Sequence, residues 1–227
     1  MWLERPGSTP AVRTVWRATV EEPGEYLVAG SEYWGISFIR RADGSLGGEL
    51  DGPSVSARST TSVVGESYWG VELAPFVVVT GLDKQPVLGA TVDLPVRSGQ
   101  VRLGERWTTL PAFDELEDWV DEMVRLGPLG VDDGVRSALD GQRDGASPRT
   151  WQRRYRRTVG LTAGQVEQVR RAERAYALLQ AGVAPAEAAA RSGFADQAHL
   201  TRSLRLIRGR TPAAVLAAAA RRRPDAE

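Results

Sequence analysis

Residues 147–162, SPRTWQRRYRRTVGLT, and residues 196–211, DQAHLTRSLRLIRGRT, follow one plan 49 positions apart in a chain of 227 residues. Each stretch begins with a side-chain oxygen, from Ser147 or Asp196, that can accept the free N–H groups of a first helical turn. Each approaches its end with a glycine, which tolerates the left-handed backbone of a helix C-terminus. The sequence therefore predicts two helices of matching design.

Both predicted helices are amphipathic. At 3.6 residues per turn, Trp151 and Tyr155 lie along one stripe of the first helix, and Leu200, Leu204 and Ile207 lie along one stripe of the second. A basic face opposite such a stripe is typical of a helix that binds a polyanion, although a solvated surface helix shows the same pattern. Because the same pattern occurs twice, a helix that binds a polyanion is favoured over a solvated surface helix. The basic positions that the two copies share are Arg153/Arg202 and Arg156/Arg205.

The residues before the second copy predict a supporting helix and a tight turn. Pro185 begins an alanine-rich run to Arg191, and proline is tolerated at the first helical position because its missing N–H has no partner there. Gly193 supplies the unusual backbone angle of the turn, and Phe194 supplies an apolar plug. The whole is a predicted helix-turn-helix in which residues 196–208 form the helix that enters the major groove.

Three segments together carry a resemblance: residues 147–162, residues 171–183 (RAERAYALLQAGV) and residues 189–215 (AARSGFADQAHLTRSLRLIRGRTPAAV). The C-terminal part of the chain that contains them, about its last third, resembles the DNA-binding domain of the AraC/XylS family of bacterial transcription regulators. The resemblance implies two helix-turn-helix units joined by a linker helix, here residues 165–180. A helix of that length spans much of the roughly 34 Å between adjacent major-groove faces.

The first helix-turn-helix departs from the family pattern. Before its recognition helix the sequence offers only residues 132–139, followed by the glycine-broken stretch 140–146. We therefore expect a truncated first unit, in which Arg153 either contacts bases or serves mainly as a phosphate clamp.

The resemblance also implies which side chains contact DNA. Arginine can pair with guanine and glutamine with adenine, whereas alanine can touch a thymine methyl group. For Gln152 and Gln197, an internal hydrogen bond within the protein is an equal alternative, and Gln152 is expected toward the core side of its helix. The candidates for phosphate contacts are Arg154, Arg157, Arg205 and Arg208. The predicted DNA-binding residues are Arg149, Gln152, Arg153, Arg156, Gln197, Ala198, His199, Arg202 and Arg205.

The charge of the chain is divided between its two halves. Residues 141–227 hold 17 arginines and 7 acidic residues, a net charge of +10, and the remaining residues carry −10, so the total is zero. A basic half of this kind should bind duplex DNA with a steep salt dependence, because each neutralised phosphate releases counterions. Solubility, or docking of one half on the other, would also account for the asymmetry.

The N-terminal part of the chain, residues 1–127, has the pattern of a β-rich module that ends in a connecting helix. The helix is predicted at residues 114–126, where an apolar stripe follows an acidic first turn. The module is similar to the cupin-like domains that accompany this DNA-binding domain in many relatives. Short runs rich in Val, Ile, Tyr, Trp and Phe, separated by turn signals, predict strands at residues 25–29, 33–39, 55–59, 68–73 and 76–80.

These patterns predict an α+β chain, with a β-rich N-terminal sensor domain followed by an all-α double helix-turn-helix domain. The predicted domains are residues 1–127 for effector binding or dimerisation, residues 128–220 for DNA binding, and residues 221–227 as a basic C-terminal tail.

A short repeat in the β-rich module suggests a ligand site. Glu-Tyr-Trp-Gly-Ile and Ser-Tyr-Trp-Gly-Val recur 35 positions apart, and they place Tyr33, Trp34, Tyr68 and Trp69 on two predicted strands. Aromatic walls with polar tips suit an apolar or planar effector, so these four residues are effector-pocket candidates. The favoured alternative places both tryptophans in the core, and a third makes exposed aromatics a dimer contact.

The composition argues against an enzyme. The chain has no cysteine, which excludes thiolate catalysis and thiolate metal sites. His199 is the single histidine and lies in the second predicted recognition helix, so a histidine metal site or a Ser-His-Asp triad has no support. We expect no catalytic residue, no metal and no cofactor.

The remaining expectations concern location and partners. No apolar run of signal-peptide or transmembrane type occurs near the N-terminus, which predicts a cytoplasmic protein acting at the nucleoid without a membrane partner. The expected partner is double-stranded DNA. Further candidates are a small effector, RNA polymerase and a second copy in a homodimer. A competing hypothesis is a non-specific nucleoid or adaptor protein with an N-terminal protein-interaction module.

Overall fold

The computed structural model describes residues 2–139 and 147–222 and shows a mixed α+β chain, as predicted. The β-rich part comes first and the helical part second. Within the described residues, the strands are β1 (Trp2–Pro6), β2 (Val12–Thr19), β3 (Gly24–Val28), β4 (Gly35–Arg40), β5 (Leu46–Asp51), β6 (Arg58–Ser62), β7 (Ser67–Leu73), β8 (Val77–Val79), β9 (Thr91–Leu94), β10 (Val96–Arg97), β11 (Gln100–Leu103), β12 (Arg106–Thr109) and β13 (Leu129–Val131).

The helices occupy the region after the long sheet. The stretch 140–146, expected to break the first helix-turn-helix, lies outside the described residues. In the parts of the chain that the structure describes, the helices are α1 (Leu116–Leu126), α2 (Asp133–Leu139), α3 (Pro148–Val159), α4 (Ala163–Gln180), α5 (Pro185–Arg191), α6 (Gln197–Arg208) and α7 (Pro212–Arg222).

A six-stranded sheet organises the β-rich part. Its strand order is β1-β2-β7-β4-β5-β9, and every neighbouring pair is antiparallel. Strands β10 to β12 form a three-stranded sheet, β13 pairs with β8, and β3 pairs with β6. The β-rich N-terminal part is consistent with a cupin-like domain.

Large aromatic and aliphatic side chains fill the core of the β-rich part. Phe38 is fully buried in β4, with its ring 5.9 Å from that of Trp69 and 5.6 Å from that of Trp119. Trp119 comes from α1, where the predicted stripe of Leu116, Trp119, Val120 and Met123 is buried. The helix therefore covers the sheet through this stripe, and the sequence pattern located it correctly.

A second core lies among the last four helices. Ala172, Ala175 and Leu179 of α4 are fully buried there, and small side chains of α5 allow close packing. The α6 side chains Leu200 and Leu204 belong to the same core. The predicted linker helix is confirmed as α4, and the predicted supporting helix is confirmed as α5.

The chain divides into two compact units that do not follow its linear order. The first unit consists of Met1–Glu25, Glu32–Pro53 and Thr61–Thr162, so it includes α3. The second unit consists of Tyr26–Ser31, Ser54–Thr60 and the chain from Ala163 onward. The linear domain boundaries predicted from the sequence stay a prediction.

Most predicted strands in the N-terminal part are present, but one is misplaced. The run 55–59 was expected to be extended, whereas β6 begins at Arg58. The cause is a local turn, in which the amide of Ser56 donates to Oγ of Ser54. Such side-chain to backbone bonds compete with strand pairing. The sequence pattern did not predict β1, β2, β5 or β9 to β13.

Candidate nucleic-acid interface

The second predicted recognition helix is α6. Asp196 caps its N-terminus, with Oδ1 accepting from the amide of His199 at 2.6 Å. Gly209 ends it with the left-handed φ of +64°. One face is fixed in the core by Leu200, Leu204 and Ile207, all of them fully buried. Because this face is anchored, the opposite face is held toward solvent.

The turn before α6 has the predicted construction. Gly193 has a φ of +77°, and Phe194 is buried as the plug. The guanidinium of Arg171, on α4, donates to the carbonyl of Gly193 at 3.0 Å and lies 5.5 Å from the Phe194 ring centre. The turn therefore fixes α5 and α6 as a helix-turn-helix.

The outer face of α6 is exposed and basic. Gln197, Ala198, Arg202 and Arg205 are all exposed. His199 differs, because it is only half-exposed and its ring meets that of Phe194 edge to face at 5.2 Å. Gln197 is accessible to solvent, and its contact with DNA stays a prediction.

The first predicted recognition helix is α3. Oγ of Ser147 accepts from the amide of Thr150 at 3.2 Å, and Gly160 ends the helix with a φ of +97°. Tyr155 is buried, and the half-buried Trp151 lies 5.7 Å away from it, so the predicted apolar stripe is confirmed.

The outward side of α3 carries the predicted contact residues. Arg149, Arg153 and Arg156 are exposed. Gln152 is exposed as well, although the periodicity placed it toward the core, so that expectation is wrong. The four side chains are accessible to a ligand on the solvent side of the helix.

Arg154 does not belong to that outward face, which corrects its assignment as a phosphate contact. Its Nε donates to Oδ1 of Asp132 at 2.7 Å, and Asp132 also accepts from Oγ1 of Thr158 at 2.7 Å. The amide of Val135 donates to the same carboxylate at 3.2 Å. Asp132 therefore caps α2 and holds two side chains of α3.

The pKa of Asp132 follows from these contacts. Burial favours the neutral acid, but the hydrogen bonds from Thr158, Val135 and Arg154, together with the charge of Arg154, outweigh it. The pKa of Asp132 therefore lies below its ordinary value. The ionised form stabilises this junction of α2 and α3.

Two further side chains of the first unit close the C-terminus of α3. Nζ of Lys84 donates to the carbonyls of Arg157 and Thr158 at 2.5 and 2.9 Å. Nε1 of Trp34 donates to the carbonyl of Val159 at 3.1 Å. Burial lowers the pKa of Lys84, and the nearby charge of Arg157 lowers it further.

Sequence reasoning missed Asp132 and Lys84 as structural partners of α3. The sequence offered a signal for both, because Lys84 is the single lysine of an arginine-rich chain and Asp132 begins the short segment 132–139 before the first recognition helix. Nothing in the sequence indicated that either residue contacts α3 in the folded chain. Lys84 and Asp132 are 48 positions apart, yet both contact the last turns of α3.

A cavity of about 400 Å³ lies beside α3 within the first unit. Valine side chains and charged groups line it together. Its lining residues are Val78, Val79, Lys84, Val131, Asp132, Asp133, Arg154, Arg157 and Thr158.

The four effector-pocket candidates do not line this cavity. Trp34 and Trp69 are core residues, and Nε1 of Trp69 donates to the carbonyl of Pro111 at 2.9 Å. Tyr68 donates its hydroxyl to Glu66, and the guanidinium of Arg13 lies 4.1 Å from the ring centre of Tyr33. The arrangement matches the alternative in which both tryptophans are core residues. An effector role for the four stays a prediction.

The other predicted phosphate contacts differ in exposure. Arg157 and Arg205 are exposed, and Nη2 of Arg157 lies 4.0 Å from Oδ2 of Asp132. Arg208 is half-buried, with its guanidinium 4.4 Å from the ring centre of Tyr176. Arg157 and Arg205 are therefore the more accessible of the three.

Comparison of the sequence with known protein families gives one match. The family described as Helix-turn-helix domain matches residues 142–218. Residues 142–218 are an AraC-type helix-turn-helix domain. The match begins after α2, and it includes α3, α5 and α6. No curated protein and no solved structure matches the chain.

The AraC-type domain identifies the chain as a DNA-binding transcription regulator. The matched family is one of DNA-binding regulators rather than of enzymes. Among residues 2–139 and 147–222, no cluster of His, Cys, Asp or Glu has the arrangement of a metal site. None of the helices described there has the length and apolar character needed to cross a membrane.

The Asp132 junction predicts a pH-dependent stability. A carboxylate whose pKa is lowered by folding contributes its stability above the unfolded pKa and loses it as the pH falls through the folded pKa. We expect Asp132→Asn to lower the free energy of unfolding by about 1–3 kcal/mol at neutral pH. The deficit should shrink as the pH falls below 3.8, the ordinary value. Urea unfolding over a pH series measures it.

The neighbouring exposed residue Asp133 provides the control for this series. Asp133→Asn should show a smaller loss, because Asp133 lies exposed in the first turn of α2. Equal deficits with the same pH profile in both variants would show that the Asp132 contacts contribute nothing specific.

The adjacent residues Arg153 and Arg154 of α3 should differ in their effects on stability and on DNA binding. Arg154→Ala removes the partner of Asp132 and should lower the free energy of unfolding by about 1–2 kcal/mol. Arg153→Ala removes an exposed side chain and should change that free energy by less than about 0.5 kcal/mol, while weakening DNA binding. Urea unfolding and a DNA titration of both variants test the pair. A stable Arg154→Ala protein would contradict the assignment.

Proposed function

We propose that the protein is a sequence-specific transcription regulator that contacts duplex DNA through α6 and α3. The observation that carries the proposal is α6, whose apolar stripe is fully buried while Gln197, Ala198, Arg202 and Arg205 are exposed. A helix anchored in this way presents a rigid set of donors, and the turn before it has the construction of a helix-turn-helix.

The chemistry of the exposed residues fits base contacts in the major groove. Arg202 can form two hydrogen bonds to guanine, Gln197 can do the same with adenine, and Ala198 suits a thymine methyl group. Arg205 and Arg157 are better placed for phosphates, which position a protein without selecting a sequence. The remaining predicted contacts are Arg149, Gln152, Arg153 and Arg156 on α3 and His199 on α6.

We propose that the first unit modulates the binding. Lys84, Asp132 and Trp34 hold α3 within that unit, so a change in the unit's packing would change the placement of α3. A small effector in the cavity beside α3 would touch Arg154 and Thr158 directly. Self-association and contact with RNA polymerase are further proposals, as is a cytoplasmic location at the nucleoid.

A competing function is non-specific binding of nucleic acid by the arginine-rich helices. The net charge of +10 in residues 141–227 favours any polyanion and therefore supports this alternative as well. The two functions differ in the ratio of specific to non-specific affinity at fixed salt. A regulator should reach a ratio of about 10³ or more.

The proposal is tested by selecting binding sites from random duplex DNA with the full-length protein. Two enriched blocks about one helical turn apart are expected if both recognition helices contact bases. One short block would show that α3 contributes phosphate contacts only. Absence of enrichment, together with binding that salt abolishes equally for all sequences, would favour the non-specific function.

Arg202→Ala should weaken binding to the selected site by about 1–3 kcal/mol and relax the base preference at one position. The control is Arg174→Ala on α4, because Arg174 is paired with Glu167 at 2.8 Å and lies outside the predicted contacts. Titrations of both variants at one salt concentration compare them. Unchanged affinity and base preference in Arg202→Ala would remove Arg202 from the contact set.

A further inference from the structure

The second compact unit contains two short segments from the N-terminal part of the chain. These are Tyr26–Ser31 and Ser54–Thr60, and together they are called the arm. The amide of Ser54 donates to the carbonyl of Ser31 at 2.7 Å, which joins the two segments. The family match begins only at residue 142, so the arm lies outside the matched domain.

The arm supplies hydrogen-bond donors to the last turn of α6. The amide of Gly30 donates to the carbonyl of Ile207 at 2.6 Å, and the amide of Ala57 donates to that of Leu206 at 2.7 Å. A helix ends with four carbonyls that have no partner within it. Two of these four in α6 are therefore satisfied by the arm.

Side chains of the arm also pack against the end of α6. Leu27 lies over the helix-ending glycine, because a Cβ at Gly209 would come within 2.7 Å of Cδ1 of Leu27. Val55 packs against the helical core. The fit at Gly30 is close, since a Cβ there would lie 2.9 Å from the carbonyl oxygen of Ser54 and 3.3 Å from Cγ2 of Ile207.

We infer that the arm is an integral part of the second helix-turn-helix and positions α6 for DNA binding. The contacts at Gly30, Ala57 and Leu27 close the C-terminal end of the recognition helix, opposite the end capped by Asp196. The inference rests on the proposed function for its link to DNA. In this arrangement the N-terminal part of the chain acts on the DNA contact through the arm, without touching DNA.

Gly30→Ala tests the inference, and Gly24→Ala is its matched control. A methyl group at Gly30 would lie 2.9 Å from the carbonyl oxygen of Ser54 and 3.3 Å from Cγ2 of Ile207, so the arm must shift where it meets α6, whereas a Cβ at Gly24 would meet no atom within 4 Å. We expect Gly30→Ala to weaken binding of the selected DNA site by about fivefold or more, the effect of about one hydrogen bond. Gly24→Ala should bind as the wild type does.

Amide hydrogen exchange of the full-length proteins gives a readout that does not involve DNA. In the wild type, the amides of Gly30 and Ala57 should be protected. In Gly30→Ala, the amides of Ala57 and of the last turn of α6 should exchange at least about tenfold faster, while those of α1 stay unchanged. Unchanged exchange at Ala57 and the α6 end would overturn the inference.

A second variant covers the case in which Gly30→Ala fails to fold. Leu27→Ala removes a side chain that is 43% exposed, so its effect on folding should be small. It should still speed exchange near Gly209, and the same rate as in wild type would overturn the inference. If the wild type selects no DNA site but the exchange results hold, the proposed function fails and the role of the arm stands.

Discussion

The carbonyls at the C-terminal end of a helix need partners from outside it, and both recognition helices find such partners in the β-rich part of the chain. At the end of α3, the amide of Gly160 donates to one carbonyl, Nζ of Lys84 donates to two, and Nε1 of Trp34 donates to the last. All four unpaired acceptors of that helix are therefore satisfied. In α6, the arm satisfies two. The outward basic faces depend on this closure, because it fixes the helices that carry them.

The two compact units do not follow the linear order of the chain. The matched helix-turn-helix region is contiguous in sequence, yet α3 belongs to the first compact unit and α6 to the second. Each recognition helix is completed by β-rich sequence in its own unit. Sequence from the N-terminal part of the chain therefore contacts each of the two helices separately, α3 in the first unit and α6 in the second.

The sequence predicted what local patterns determine. Caps at Ser147 and Asp196, glycines at Gly160 and Gly209, and the stripe of α6 all follow from spacing, and the structure confirms them. The distant pairings could not be predicted, because nothing local links Asp132 to Arg154 or Gly30 to Ile207. The expectation for Gln152 was wrong because the burial of a helix residue depends on which elements pack against that side of α3, and helical periodicity does not give this. Trp34 and Trp69 lie in the core, as the favoured alternative predicted.

The closure of α3 also has a chemical consequence. Lys84 is the single lysine of the chain, and its lowered pKa raises the share of neutral amine at a given pH. An amine-selective reagent therefore has one side-chain target. Acylation of that amine would remove its charge and two of its three hydrogens, leaving at most one bond to the end of α3. The protein thus carries one covalent handle at the point where its β-rich unit holds a recognition helix.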